Sequence, residues 1–459
     1  MITKIVAMNE SELLQVLVDW NYWGNFSVRL KARPGYLDRM NKLFGAKTAL
    51  VLSGIRRAGK SSLIHLFLQE KLNKGEIKQN DILFLNFEDP RLFGSITSKD
   101  LPWIFEVFLQ HLSPEKPIVI LDEVQNIQGW EMFVRMLLDT GKARVLVTGS
   151  SSKLMSPEIA SSLTGRHVDV EVFPLSFLEI LEFESIPFKS QLDVARSQTK
   201  IGQAFQEYFQ WGGFPEVVLA EMPERKRELL ARYFDDILHK DIARRFHVQR
   251  IDKLEQMGHT LLANISTLQS FNNLKKQLSI SLDTVERFVN YFETARLFFF
   301  VKKYNYSLKQ QFRSIHKVYV ADTGFYQARG FRFSENQGRI MENLVAIELF
   351  KKQARNPMLE IFYWKDSQQR EVDFVVKEGN RVKQLIQVCW DLSDLSTIKR
   401  ERNVLLSAAA AFKCDDLLII TQNMESVESF AKNGHEWKIR ILPLRKWIFQ
   451  ESNKDNSYH

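Results

Sequence analysis

The sequence predicts an α/β protein with a parallel sheet, followed by further modules. Apolar runs alternate with stretches of helical periodicity in the first part of the chain, a pattern typical of a parallel sheet covered on both faces. One run leads into "GIRRAGKS", which fits GxxxxGK[ST]. The 459 residues exceed one ordinary core, so we expect three or four domains of about 100–200 residues each.

Composition favours a protein that works in water under reducing conditions. The hydrophobic fraction is 45% and the charged fraction 26%, both ordinary for globular proteins. No apolar run approaches the roughly 18 residues that span a bilayer, and the N-terminus lacks the pattern of a secretory signal. Cys389 and Cys414 are too few for a disulfide framework. We therefore expect a cytoplasmic protein with no membrane partner.

Positive charge is unevenly distributed along the chain. The formal net charge is +8, and residues 256–329 alone hold ten Lys and Arg against four Asp and Glu. A basic excess confined to one module indicates a polyanion partner, and nucleic acid is the expected one. A solvated surface that happens to be basic is the alternative, and charge alone does not separate the two.

The glycine-rich turn predicts a phosphate-binding loop. Residues 49–52 form an apolar strand before it, and apolar residues at helical spacing follow it. Glycines let backbone N–H groups surround phosphate oxygens at a helix N-terminus. Lys60 would reach the β- and γ-phosphates of ATP, and the Ser61 hydroxyl would bind Mg²⁺. A chance match at a strand-to-helix turn is the alternative. The predicted nucleotide-binding residues are Gly54, Ile55, Arg56, Arg57, Ala58, Gly59, Lys60, Ser61 and Ser62.

Acidic and hydroxyl side chains follow two later strands. "KPIVILDEVQ" ends an apolar run in Asp122 and Glu123. Asp122 would hold Mg²⁺, and Glu123 would polarise the attacking water. "ARVLVTGSSSKL" ends in Thr148 and Ser150, and Ser150 is a candidate sensor of hydrolysis. An N-cap for the next helix is the other role open to these hydroxyls.

Together these motifs resemble a prokaryotic ATPase family. "GIRRAGKS", "LDEVQNIQGWEMFVRML", "VTGSSSKL", "SLTGRHVDVEVFPLSFLE" and "YFQWGGFPEVV" occur in that family's order. The family is similar to AAA+ and signal-transduction (STAND-like) P-loop ATPases and is related to archaeal replication-initiator ATPases. The resemblance runs from about Arg33 to about Leu444.

The resemblance implies roles for arginines that spacing alone does not give. Arg166, in "LTGRHVDV", matches a position resembling an arginine finger, which would complete a neighbouring subunit's site in a homo-oligomer. A structural salt bridge is the alternative for Arg166. Arg244 or Arg245 is a candidate for an equivalent lid role, although helical arginines usually face solvent.

The middle of the chain predicts a helical lid and a winged helix-turn-helix. "WGGFPEVV" interrupts the lid helices and suggests a hinge. Beyond it, Ser281 fits an N-cap, and residues 285, 288, 289 and 292 give one apolar helical face. Thr284 and Tyr291 are expected to point outward from that helix. A protein-docking module remains the alternative to DNA binding. The basic residues expected to contact nucleic acid are Arg287, Lys302 and Lys303.

The C-terminal region resembles a degenerate PD-(D/E)XK nuclease. We expect the order helix, strand, strand, helix, strand, with Glu342, Asp373 and Gln387 in the positions that hold Mg²⁺ in that superfamily. Gln387 replaces a carboxylate, and Cys389 stands in the lysine position. We expect this vestigial site to be inactive, unless a lysine such as Lys365 or Lys383 migrates into it. Asp373 as a plain strand-end residue is the alternative.

These predictions combine into one architecture and one leading function. We expect an α/β protein that binds ATP and Mg²⁺, hydrolyses ATP and acts on or with nucleic acid, DNA in the first place. An ATP-regulated nuclease and a nucleotide-gated docking switch with little turnover remain open. The predicted parts are an N-terminal segment packing on the ATPase (1–45), a parallel-sheet P-loop ATPase core (46–180), a helical lid (181–255), a winged helix (256–330), a nuclease-like α/β domain (331–450) and a tail (451–459).

Overall fold

The structure is a computed structural model that divides into two compact units. The first holds Met1–Val172 with Thr294–Arg296, and the second holds Phe173–Glu293 with Leu297–His459. None of the helices in the described part of the chain is both long enough and apolar enough to cross a bilayer. The described residues are 8–24, 30–45, 47–150, 154, 161–305, 315–329, 336–366, 368–432 and 435–456.

The first unit is built on a five-stranded parallel sheet with the order β2-β3-β4-β1-β5. Every residue of β1 and β3 is buried, and each strand is apolar up to its last residue, Ser53 or Asp122, as expected of parallel strands covered on both faces. The predicted strands at 49–52 and 118–121 are confirmed. The five strands are β1 Ala49–Ser53, β2 Ile82–Asn86, β3 Ile118–Asp122, β4 Arg144–Gly149 and β5 His167–Glu171.

Helices cover this sheet through apolar faces. The first helix begins at a capping box between Asn9 and Glu12, and its Leu13, Val16 and Leu17 belong to the same apolar core as the strands. The helices are α1 Glu10–Trp20, α2 Pro34–Leu43, α3 Lys60–Asn73, α4 Leu101–Leu112 and α5 Trp130–Thr140, with 3-10 turns at Gln79–Asp81 and Val124–Asn126.

Twelve α-helices are described in the second unit. A π-helix, Ile237–Arg244, continues directly from the end of the fifth of them. The α-helices are α6 Phe177–Phe183, α7 Gln191–Arg196, α8 Gln198–Trp211, α9 Pro215–Leu219, α10 Pro223–Asp236, α11 Ile251–Ala263, α12 Phe271–Leu278, α13 Leu282–Thr294, α14 Thr323–Arg329, α15 Gln337–Arg355, α16 Leu395–Phe412 and α17 Leu444–Asn456.

One mixed sheet of nine strands runs through the second unit. The strands are β6 Thr267–Gln269, β7 Phe298–Lys303, β8 His316–Val320, β9 Leu359–Lys365, β10 Glu371–Glu378, β11 Arg381–Val388, β12 Leu417–Thr421, β13 Ser426–Lys432 and β14 His435–Pro443. Their order is β13-β14-β12-β11-β10-β9-β7-β8-β6. The predicted α/β class, with a parallel-sheet core and a second sheet toward the C-terminus, is confirmed.

Strand β7 joins two parts of this sheet that the sequence suggested were separate. It pairs antiparallel with β8 and parallel with β9. The expected order of helix, strand, strand, helix, strand omits β9, which lies between α15 and β10. The sequence prediction was wrong on this strand, although "LEIFYWK" contains four consecutive apolar residues, Ile361 to Trp364.

The glycine pair expected to form a hinge is a point of close packing. The Asp322 carboxylate accepts hydrogen bonds from the backbone N–H of Gly213 at 2.7 Å and of Gly324 at 2.9 Å. A Cβ on Gly212 would lie 1.7 Å from Asp322 Oδ1, and one on Gly213 would lie 2.1 Å from the carbonyl oxygen of Leu175. Burial raises the pKa of Asp322 to about 7, although both N–H groups favour the carboxylate. Close approach of the backbone therefore explains both glycines without a hinge.

Replacing Gly212 by alanine should destabilise the second unit. Gly212 has φ +73°, where an L side chain is strained, and the new methyl group would collide with a buried carboxylate. We expect the free energy of unfolding to fall by about 2–4 kcal/mol in urea denaturation of the full chain. Gly202→Ala, within α8, is the matched control, because its Cβ would meet only Arg445 Nη1 at 3.6 Å. Equal stability of the two variants would contradict the packing role.

Candidate functional site

Strand β1 leads into a loop that only glycine permits at two places. Gly54 has φ +150°, and a Cβ there would lie 2.1 Å from the carbonyl oxygen of Val172. Gly59, with φ +93°, precedes the first residue of α3. The Lys60 side chain is only 3% exposed, and its Nζ donates to the carbonyls of Gly54 at 3.2 Å and Ile55 at 3.3 Å. The loop thus curls around its own lysine at the start of a helix.

Contacts with neighbouring segments brace the same loop. Arg33, from the segment before α2, donates from Nη1 to the carbonyl of Ala58 at 3.0 Å. Arg56 forms an ion pair with Glu88 at 2.7 Å, just beyond the end of β2. No local sequence pattern marks Arg33 as part of this site. The other predicted loop residues lie in the loop or the first turn of α3: Arg57, at φ +69°, and the half-buried Ser62.

The predicted magnesium ligands, Ser61 in the first turn of α3 and Asp122 at the end of β3, are in contact. The Ser61 hydroxyl donates to both carboxylate oxygens of Asp122, at 3.0 and 2.9 Å, and the Thr148 hydroxyl donates to the same carboxylate. Burial and the charge of Glu123 raise the pKa of Asp122 to about 6. A hydroxyl and a carboxylate in contact are the oxygen ligands that Mg²⁺ prefers, and a dication would favour the ionised carboxylate. These residues therefore fit Mg²⁺.

Glu123 has an unusual backbone conformation at the end of β3. Its φ of 54° and ψ of 49° are left-handed, a conformation that costs a non-glycine residue free energy and occurs often at functional sites. Its backbone N–H donates to Thr148 Oγ1 at 3.0 Å, and Oε1 lies 3.5 Å from Lys60 Nζ. Burial alone would raise the pKa of Glu123, but Lys60 and Arg56 more than offset it and lower the pKa. The carboxylate is therefore ionised at neutral pH.

A glutamine connects Glu123 to Ser150. The Gln125 Nε2 atom donates to Glu123 Oε2 at 2.5 Å and to Ser150 Oγ at 3.3 Å. Gly149 makes room for it, since a Cβ there would lie 2.4 Å from Gln125 Oε1. Ser150 is 1% exposed. Gln125 was not among the predicted site residues, although it lies two residues after Glu123 in "DEVQ".

Arg166 lies in the turn before β5 and is exposed. It forms an ion pair with Asp139 near the end of α5, and Asp139 also lies 3.5 Å from Arg135 Nε. If Arg166 serves as a structural salt bridge, Asp139 is its partner. Arg244 lies in the π-helix of the second unit, and the Arg245 guanidinium lies over the ring of Phe246.

Helix α13 of the second unit follows the predicted pattern in its buried face. Ser281 Oγ accepts from the N–H of Thr284 at 3.1 Å, which confirms the N-cap. Arg287 is exposed and donates to Thr284 Oγ1 at 3.3 Å. Tyr291, expected to be free for groove contact, stacks on Phe246 at 4.0 Å between ring centroids. That prediction was wrong. The buried positions of α13, as predicted, are Val285, Phe288, Val289 and Phe292.

The basic module exposes less charge than its composition suggests. Lys302 and Lys303 end β7, where that strand pairs with β9. Lys317, on β8, is 2% exposed and does not contribute to a surface. Lys309 and Arg313 lie outside the described residues. The exposed basic side chains in the described part of this module therefore lie on α12 and α13, and Lys302 and Lys303 at the end of β7 are half-buried.

Lys317 instead enters the acidic site of the C-terminal region. Its Nζ lies 2.9 Å from Glu342 Oε1 on α15, 2.7 Å from Asp373 Oδ1 on β10 and 2.7 Å from Glu371 Oε1. The structure thus brings Glu342 and Asp373 together and adds two residues that the sequence analysis missed, Lys317 and Glu371. Burial disfavours the ammonium, but Asp373 and Glu342 raise the pKa of Lys317 well above its usual value.

Gln387 interacts with a further acid in this region. Its Nε2 donates to Glu401 Oε2 at 2.7 Å, and its Oε1 accepts from the backbone N–H of Asp373 at 3.3 Å. The second oxygen of Asp373 accepts from the N–H of Val388 at 2.8 Å. Burial raises the pKa of Glu342 to about 7.

The lysines nearest in sequence do not fill the site. Lys365 lies 3.8 Å from Glu371, and Lys383 pairs with Glu378 at 3.2 Å. Burial raises the pKa of Cys389 to about 11, so its thiol is neutral and does not replace an ammonium. A lysine from another part of the chain does enter the site, as the sequence left open, but it is Lys317 on β8 and not Lys365 or Lys383. Among the described residues, no group of three or more His, Cys, Asp or Glu is arranged to hold a metal ion.

The parallel sheet, the glycine-rich loop and the Asp-Glu pair define a P-loop nucleotide-binding protein of the AAA+ type. Residues 46–181 match the family model described as AAA domain. Residues 202–335 match Domain of unknown function (DUF8612), and residues 337–444 match Domain of unknown function (DUF4143).

Two full-length relatives are known only as uncharacterised proteins. The chain is 32% identical over 455 residues to the uncharacterised protein MJ1544 of Methanocaldococcus jannaschii, with 97% of each chain covered. It is 27% identical over 435 residues to an uncharacterised protein of Haemophilus influenzae, covering 91% of this chain and 98% of the relative. The chain belongs to the same family as MJ1544.

Similar solved structures include a DNA replication initiation factor and AMPPCP-bound DnaA from Aquifex aeolicus. The first is 16% identical and covers 57% of this chain and 84% of its own, with a TM-score of 0.24. The second is 15% identical and covers 59% of this chain and 90% of its own, also with a TM-score of 0.24. Because both TM-scores lie below 0.5, the assignment of the first unit rests on the sheet order, the site geometry and the AAA domain match.

Proposed function

We propose that this protein is a cytoplasmic, Mg²⁺-dependent ATPase that converts ATP to ADP and phosphate. The observation that carries the proposal is the convergence of Lys60, Ser61, Asp122 and Glu123 at the carboxyl edge of one parallel sheet. Ligands of doubly wound sheets bind at this edge. The pKa of Glu123 is lowered, so an ionised carboxylate is available to accept a hydrogen bond from the attacking water.

Each side chain of the site has a task in this reaction. The loop N–H groups and Lys60 bind the phosphates, and Ser61 with Asp122 holds Mg²⁺. The metal, when bound, neutralises charge that develops on the phosphate oxygens. Glu123 orients and polarises water, and Thr148 fixes it relative to Asp122 through hydrogen bonds to both residues. Gln125 restrains the Glu123 carboxylate and connects it to Ser150, the proposed sensor.

Arg166 is proposed as the arginine finger of a homo-oligomer. Its ion pair with Asp139 lies at the surface, and surface ion pairs contribute only about 0–1 kcal/mol. A phosphate of a neighbouring subunit's ATP, with more charge than one carboxylate, competes well for this guanidinium.

The second unit is proposed to contact nucleic acid, DNA in the first place. Helices α12 and α13 followed by β7 and β8 form a helix-turn-helix with adjoining strands, which we propose is a winged helix. Arg287 is exposed on the second of these helices, and it is joined by Lys302 and Lys303 as proposed phosphate contacts. A protein partner at the same surface is the rival proposal.

Phosphate release by the purified full-length chain tests the ATPase proposal. We expect steady release from ATP in Mg²⁺ and none in EDTA. Tight ATP binding with negligible release in Mg²⁺ would overturn the proposal and favour a nucleotide-gated docking switch.

Removing the proposed phosphate contacts should weaken DNA binding and flatten its salt dependence. Each lost contact lowers the slope of log affinity against log salt by about 0.9. We therefore expect the triple variant Arg287→Ala, Lys302→Ala, Lys303→Ala to show a visibly shallower slope in fluorescence anisotropy with duplex DNA. The matched control removes three exposed lysines elsewhere: Lys116, Lys142 and Lys399. Equal slopes for the two triple variants would favour protein docking.

A further inference from the structure

The acidic site of the second unit does not fit the metal that its resemblance to nucleases implies. An ammonium has three N–H donors, and Lys317 directs them at three acids, Glu342, Glu371 and Asp373, at 2.7–2.9 Å. The contacted oxygen of Glu342 also accepts from the Tyr319 hydroxyl at 2.7 Å. The site is therefore already saturated with donors from the protein, and no step of any reaction is assigned to a metal here.

We infer that Lys317 is the resident cation of this site, standing where a divalent metal would have to bind, so that the site is a structural core and not a nuclease centre. The lysine comes from β8, and the acids come from α15 and β10. One ammonium thus connects β8 to α15 and β10. This inference is independent of the ATPase proposal.

A catalytic lysine in this place would need a different geometry. To help cleavage, an ammonium must direct an N–H at the attacking water or at the scissile phosphate. Lys317 is 2% exposed, and its donors are taken by carboxylates. Gln387, in the position of the second acid, is turned toward Glu401. The same residues explain why metal binding should appear when Lys317 is removed, since three acids would then lose their cation.

Binding of Mn²⁺ to the nucleotide-free, full-length chain tests the inference. We expect the acidic site of the wild type to bind no Mn²⁺, so Asp373→Asn should leave wild-type Mn²⁺ binding unchanged in electron paramagnetic resonance of the free ion. Lys317→Ala should melt at a lower temperature than the wild type in EDTA, bind about one Mn²⁺ per chain and regain several degrees of melting temperature when Mn²⁺ is added. Lys351→Ala is the matched control. It removes another buried lysine, within α15, that pairs with Glu348 at 2.8 Å, and it should gain no Mn²⁺ binding.

Three results would overturn the inference. The first is Mn²⁺ binding by the wild type that is lost in Asp373→Asn. The second is a folded Lys317→Ala variant without Mn²⁺ binding. The third is metal-dependent cleavage of linear, forked or single-stranded DNA by the wild type that disappears in Lys317→Ala and in Asp373→Ala, which would make Lys317 a catalytic residue. If Lys317→Ala does not fold, Mn²⁺ binding by the wild type and Asp373→Asn decides the question: equal binding by the two supports the inference.

Discussion

Replacing Glu123 by glutamine should leave ATP bound and stop its hydrolysis. Glutamine has nearly the same shape and keeps an oxygen for the hydrogen bond from Gln125, but it carries no negative charge. Lys60 and Arg56 lower the pKa of Glu123, so the variant loses a carboxylate that is ionised at neutral pH. Loss of a general base costs about 10²–10⁴-fold in rate, and we expect kcat to fall by that factor.

Two measurements on the same sample check this prediction. Phosphate release gives the rate, and displacement of a fluorescent ATP analogue gives the affinity, which should stay near that of the wild type. Glu76→Gln is the matched control, because Glu76 is an exposed acid just beyond α3 with Lys71 as its partner. Hydrolysis that survives in Glu123→Gln would show that Glu123 is not the base.

Replacing Lys60 by alanine should strongly weaken ATP binding. The ammonium is 3% exposed and is held by the carbonyls of Gly54 and Ile55 in the loop that would surround the phosphates. Hydrogen bonds to charged groups contribute about 1.5–3 kcal/mol each, and one ammonium has several phosphate oxygens within reach. We expect affinity for ATP to fall about 100-fold or more.

Isothermal titration with a non-hydrolysable ATP analogue checks the Lys60 prediction. Lys74→Ala is the matched control, since Lys74 follows the C-terminal end of α3 and pairs with Glu70 at the surface. That variant should bind as the wild type does. If Lys60→Ala and Lys74→Ala bind equally well, the loop around Lys60 is not the phosphate site.

Local sequence patterns were sufficient for the strands and the loop of the first unit. For β1 and for β3, the apolar run and the site residues that follow it lie within a few positions of each other in the sequence. Buried parallel strands place such residues at one edge of the sheet. Thr148 was recognised as a polar residue at a strand end. Its hydrogen bonds to both Asp122 and Glu123 depend on the order of β3, β4 and β1 in the sheet. Local sequence patterns do not give the order of strands in a sheet.

Contacts between distant segments account for what the sequence did not show. Lys317 is 25 residues before Glu342 and 56 before Asp373, and it meets both because β7 joins β8 to β9 in one sheet. Tyr291 was placed outward by helical periodicity, which gives the direction of a side chain but not the neighbour it meets. That neighbour, Phe246, lies next to the π-helix. The nuclease-like and winged-helix interpretations stay proposals.

The most direct test of the whole account is ATP hydrolysis by the wild-type chain with and without duplex DNA, in Mg²⁺ and low salt. An ATPase that acts with nucleic acid should release phosphate without DNA and faster with it, and added salt should remove the difference as it screens the phosphate contacts. No phosphate release under either condition would contradict the account. Release that DNA leaves unchanged at every salt concentration would contradict the nucleic-acid role and favour a protein partner for the second unit.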